Sequence, residues 1–216
     1  AAANSGRARA SPRPRTAVNA IRLCLEADDL PQSDALATAA RTAYGAKAEN
    51  IRAAALPLYA RVDPTRAGGD LAMLLDDRRA SRAMRSAMAT AWGELTRTKA
   101  AAASVALEKL IKDAQPEVRA AAAAAYGRLG RVAQDPLIKM VKNERTDVAI
   151  GAAHGLAATA EVGASVGVAV DGIAQLWKQK GGPRRAAAKI FARLAKRKTL
   201  AGAVMDYLSA AARSPE

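Results

Sequence analysis

The chain has 216 residues, 50% of them hydrophobic but only 3% aromatic, and a formal net charge of +14. One cysteine and one histidine exclude an internal disulfide and leave a metal site with only scattered carboxylates to draw on. No apolar run approaches the ~20 residues that a membrane-spanning helix needs, so a membrane span is excluded.

The charge is concentrated in two places. Residues 1–15 carry Arg7, Arg9, Arg13 and Arg15 with no acid, and residues 178–198 carry nine Lys and Arg with no acid, which leaves +1 for everything else. The first of these segments is rich in Ala, Ser, Pro and Arg and contains Ser11-Pro12-Arg13-Pro14, so it reads as an extended basic arm. The chain begins at Ala1 rather than Met, and processing or trimming would each account for that start.

Residues 16–213 read as one domain. Thr16 is placed to cap a helix through about Ala27, with Val18, Ile21 and Leu25 on one side. Asp28-Asp29 and Pro31 end it, and it should cap the stack described below. Ser33 or Asp34 opens the next helix and Gly45 closes it. Asp63-Pro64 and Gly68-Gly69 read as the break between two repeats, and residues 76–80 as the turn inside the second. Residues 98–104 extend a helix backwards, 113–116 form a turn, and 161–167 form a connector of small residues. Gly181-Gly182-Pro183 is a further turn, with Pro183 at or near the first position of a helix. Leu200, Val204, Tyr207 and Leu208 then lie on one face of a closing helix. Cys24 reads as a small apolar residue of the first helix.

Two apolar stripes recur through this domain. Val118, Ala122, Tyr126 and Leu129 share one helix face, and the pattern returns as Ile51, Ala55, Tyr59, Val62; Met84, Met88, Trp92, Leu95; Val148, Ala152, Leu156, Thr159; and Pro183, Ala187, Phe191, Leu194. Ahead of each stands a shorter stripe: Leu36, Ala39, Ala40; Leu71, Leu74, Leu75; Leu107, Leu110, Ile111; Leu137, Met140, Val141; and Ile173, Leu176, Trp177. The spacings from 51 are 33, 34, 30 and 35 residues. A helix pair of this kind cannot bury both stripes alone, so the pattern predicts an all-α superhelix: a solenoid of about five helical hairpins with capping helices at both ends. Alanine supplies close packing and helix propensity but little buried area, so the core should be thin and continuous.

Asp113-x-x-Pro116-x-Val118-Arg119, the following alanines and Gly127-Arg128-Leu129-Gly130 resemble a HEAT repeat of the short bacterial type, also found in phycobilisome chromophore lyases. The resemblance implies a binding scaffold, and an Asp–Arg pair six residues apart that ties the turn to the second helix. Only Asp113–Arg119 keeps that spacing here. Arg52, Arg85 and Arg184 keep the Arg against Ala46, Arg79 and Lys178, and the fourth copy has Asn143 and Ala149. HEAT-like solenoids also include alkylpurine DNA glycosylases, which need exposed aromatics and an acid in a basic groove. Trp92 and Trp177 fall at core positions of the stripes, which argues against that activity.

Other chemistry finds little footing. His154 has no acid beside it, and Asp28-Asp29 and Asp76-Asp77 point apart as adjacent residues do. Gly127–Gly130 lacks the strand and spacing of a phosphate-binding loop. The expectation is a non-enzymatic protein without metal or cofactor.

The last repeat holds the candidate site. At 100° per residue, Arg185, Lys189, Arg193, Lys196 and Arg197 lie within about 120° of arc, with Arg184 beside them, opposite Ala187, Ile190, Phe191 and Leu194. The reading is a scaffold that binds partner proteins, a subunit or adaptor of a larger assembly. It would use this stripe and the arm residues Arg7, Arg9, Arg13 and Arg15 on acidic surfaces. The alternative is a sequence-independent nucleic-acid-binding solenoid. The expected compartment is cytoplasmic, with an extracytoplasmic one left open.

Overall fold

The computed structural model describes residues 14–213 apart from 28–29, 32, 78 and 144. Among them are twelve α-helices and no strand: α1 Pro14–Glu26, α2 Asp34–Tyr44, α3 Glu49–Val62, α4 Pro64–Leu75, α5 Arg82–Glu94, α6 Ala100–Ile111, α7 Pro116–Tyr126, α8 Arg131–Asn143, α9 Thr146–Glu161, α10 Val166–Trp177, α11 Gly182–Ala195 and α12 Lys198–Arg213. Short 3-10 turns at Leu95–Arg97 and Gly127–Leu129 finish α5 and α7. None of the described helices is long and apolar enough to cross a membrane.

The five hairpins are α2–α3, α4–α5, α6–α7, α8–α9 and α10–α11. Each second helix packs on the next, α3 on α5, α5 on α7, α7 on α9 and α9 on α11. The first helices pack chiefly on second helices, until α8 meets α10. A stack held closer on one side bends toward it, so the second helices form the inner face. α1 lies against α3 at one end, and α12 covers α10 and α11 at the other.

The stripes supply much of the core, although Ala39 is exposed and Leu56 and Leu58, off both stripes, are buried. Met84, Met88, Trp92, Leu95, Val148, Ala152, Leu156, Ala187, Phe191 and Leu194 are all buried, as are Leu71, Leu107, Leu110, Leu137, Val141, Ile173 and Leu176. Ile51, Val62, Leu129 and Trp177 are partly buried at its edges. Polar rungs join successive repeats. Arg85 Nε donates to Asp113 Oδ2 at 2.7 Å and Arg119 Nε to Asp147 Oδ2 at 2.8 Å.

Alanine and glycine set how closely the second helices approach. A Cβ on Gly93 would lie 2.9 Å from the Ala125 methyl, and one on Gly155 would lie 2.6 Å from Ala123 O. Cβ atoms on Gly127 and Gly151 would run into the backbone of Gly155 and Ala120. The α7–α9 contact is thus backbone against backbone.

Three boundaries and one contact differ from expectation. α1 begins at Pro14 rather than after Thr16, because proline's fixed φ and missing N–H suit the first residue of a helix. Arg15 is therefore the second residue of α1, and it is exposed. Gly68-Gly69 lie inside α4, which Asp63 caps by accepting from Arg66 N at 3.3 Å. Gly68 is buried against the Lys99 side chain, whose Nζ donates to Thr65 O at 3.3 Å. The α6 helix starts at Ala100, so residues 98–99 are not helical. Finally, Arg119 Nη1 binds the main-chain oxygens of Asp113 and Ala114, each at 2.8 Å, while the Asp113 carboxylate goes to Arg85 and Gln115 N. The six-residue pair does tie the turn to α7, but through carbonyls. This leaves the carboxylate to reach the preceding repeat.

Replacing Gly127 by Ala should lower stability by about 1–3 kcal/mol despite alanine's better helix propensity, because the added methyl meets the Gly155 backbone. The same change at Gly69, in α4 with nothing within 4 Å of an added Cβ, should raise stability by about 0.4–1 kcal/mol. Urea melts of the two variants should therefore move in opposite directions; a shared direction would contradict the close approach. Trp92→Ala should cost about 3–5 kcal/mol. Trp92→Phe should cost less, since the buried indole N–H finds no acceptor among the described residues.

Candidate functional site

The exposed side of the second-helix layer forms one open groove of about 1070 Å³. It starts at Leu25 and Glu26 of α1, crosses the C-terminal halves of α5, α7 and α9, and ends at Arg193 and Arg197 with Thr199 and Leu200 of α12. Small side chains, among them Thr90, Gly93, Ala121, Ala124, Ala125 and Ala158, make up much of its lining. Five guanidinium groups, Arg61, Arg97, Arg128, Arg193 and Arg197, face three carboxylates, Glu26, Glu94 and Glu161, so the lining is net positive.

Repetition explains the arrangement. Ten residues after Ile51, Met84, Val118, Val148 and Pro183 stand Arg61, Glu94, Arg128, Ala158 and Arg193, and all five line the groove. Glu94 has a nearly buried side chain and is held from both sides, by Arg61 Nε at 3.1 Å and Arg128 Nη1 at 2.8 Å. Arg61 also donates to Leu25 O at 3.2 Å and Ala27 O at 3.1 Å, which fixes the end of α1. Arg193 lies 3.6 Å from Glu161 Oε1.

The predicted stripe divides on this surface. Arg193 and Arg197 enter the groove, whereas Arg185, Lys189 and Lys196 are exposed outside its lining. Lys189 holds the repeat position of His154, so it continues the same face onto α11. Arg184 turns elsewhere: its Nε donates to Trp177 O at 3.1 Å, and its guanidinium sits 5.6 Å from the Trp177 ring centre. Arg7, Arg9 and Arg13 lie outside the described residues. Arg61, Arg97 and Arg128 escaped the sequence reading because they are isolated charges far apart in the chain. Counting from the apolar anchors would have found Arg61 and Arg128.

His154 is half-buried in the groove. Burial pushes its imidazole below the ordinary value, and Arg193 pushes the same way. Arg128, Arg197 and Glu161 share its cavity. Among the described residues no group of three or more His, Cys, Asp or Glu could hold a metal ion. No protein-family model matches the sequence, and no curated protein matches it.

Protonating His154 is harder in the folded chain than in the unfolded one. Its contribution to stability is therefore full above the ordinary value of 6.5 and declines as pH falls toward the lowered folded value. His154→Gln should flatten that part of the stability profile in denaturant melts between about pH 7 and pH 5. An unchanged slope would mean that the ring is solvated in both states.

Proposed function

We propose that the protein is a non-catalytic, HEAT-like scaffold that binds acidic segments of partner proteins along the inner face of its solenoid, as a subunit or adaptor of a larger assembly. The observation that carries this is the convergence of Arg97, Arg128, Arg193 and Arg197 on one groove with much of its lining made of alanine, glycine and threonine. Small lining residues let a partner's backbone come close, and the guanidinium groups supply planar, paired N–H donors for carboxylates. The HEAT-like reading is supported by five stacked hairpins and by Arg119 tying the turn before α7 to that helix and to Asp147 of the next repeat. A protein partner is favoured over nucleic acid because Glu26, Glu94 and Glu161 stand in the same groove and would repel a continuous phosphate chain.

A dye-labelled peptide in which single Glu residues are spaced by Gly and Ser serves as the probe. The unmodified protein should bind it at low salt and release it as salt rises. Replacing Arg185, Lys189, Arg193 and Arg197 together by Gln should weaken binding and make the remainder less salt-sensitive, with helicity nearly unchanged. Equal binding by the four-Gln variant would reduce the stripe to a solubilising surface. Preference for duplex DNA over the peptide, with a steep salt dependence, would favour the nucleic-acid reading instead.

A further inference from the structure

The row Arg61, Glu94, Arg128, Ala158, Arg193 contains one complete unit and one incomplete one. In its first three places an anion stands between two cations and is bonded to both, at 3.1 and 2.8 Å. In its last three places the cations recur but the middle residue is Ala158. The helices are in the same order in both cases, since α5 lies between α3 and α7 as α9 lies between α7 and α11.

We propose that a carboxylate of the acidic partner segment binds over Ala158, between Arg128 and Arg193, in the place that Glu94 fills one step earlier in the row. This rests on the docking function above and names the point where the groove grips its partner. The groups around the gap suit a carboxylate. Arg128 uses one nitrogen on Glu94, and a guanidinium has five N–H donors, so it keeps others to offer. Arg193 is 3.6 Å from Glu161, longer than a hydrogen bond, and its side chain is 45% exposed, so it can turn toward a ligand at little cost. His154 stands one turn before Ala158 on the same face of α9, and its neutral ring can donate one further hydrogen bond. The methyl groups of Ala121, Ala124 and Ala158 leave room for the incoming side chain. Because Glu94 and Glu161 flank the gap, a single carboxylate fits it better than a continuous polyanion does.

Ala158→Glu tests the idea by supplying the carboxylate from the protein itself. Peptide affinity, read by fluorescence anisotropy at low salt, should fall about tenfold or more as the bridging position is filled and the charge reversed. Thermal stability should hold or rise. Val132→Glu makes the same change in net charge on the exposed face of α8, outside the groove, and should keep nearly full affinity. Ala158→Gln adds the same bulk without charge and should lose clearly less than Ala158→Glu; equal losses would mean that bulk alone matters there and would overturn the carboxylate site. Should the Glu variant fold poorly by circular dichroism, Arg193→Gln is the substitute, and it should lose peptide affinity with helicity intact. Unchanged binding by Ala158→Glu, alongside weakened binding by the four-Gln variant, would overturn this site and leave the docking function standing. No binding of the peptide by the unmodified protein would overturn both.

Discussion

The whole architecture depends on how close the second helices can come to one another. At α7 and α9 no side chain separates the backbones: Gly127 lies against Gly155, and Gly151 against Ala120. This contact sits where the repeat is shortest, 30 residues between anchors against 33 to 35 elsewhere. Larger side chains there would push the inner layer apart, straighten the stack and open the groove. Substituting small residues for large ones gives up apolar burial, and the large plugs Tyr59, Trp92, Tyr126, Leu156 and Phe191 restore it once per repeat.

Close packing leaves little room for polar groups inside, so the charges gather at the two ends of the second helices. At their N-terminal ends Arg85–Asp113 and Arg119–Asp147 link neighbours across the stack. At their C-terminal ends the Arg61–Glu94–Arg128 row does the same and also lines the groove. Truncating one partner of a pair that is this shielded leaves an uncompensated charge, so loss of either partner should loosen the contact between neighbouring repeats. Stacking the repeats in register brings side chains 30 to 35 residues apart in the chain onto one surface, the groove.

The hairpins, their order and most of their large core residues could be read from the sequence, because burial of two stripes imposes a helical period on the apolar residues and repetition multiplies the signal; Leu56 and Leu58 lie off both stripes and were missed. The misreadings were local. Gly68-Gly69 look like a break by composition, yet the Lys99 side chain packs over Gly68 and tertiary contact outweighs propensity. The basic stripe on α11 was visible because it is continuous, whereas the rest of the groove was hidden. Arg61, Arg97 and Arg128 are single charges on three different repeats, joined only by the packing of the second helices. Asp113 and Arg119 were paired by spacing, and the structure keeps their tie but routes it through main-chain oxygens, freeing the carboxylate for Arg85.

Native-state hydrogen exchange tests the central claim most directly, because it reads the local cost of opening helix by helix. If the close contact of second helices holds the stack together, the slowest amides should lie in α7 and α9, with protection falling through α5 and α11 toward α1 and α12, and with each first helix opening before its own second helix. Slowest exchange in the first helices, or uniform protection along the chain, would contradict it.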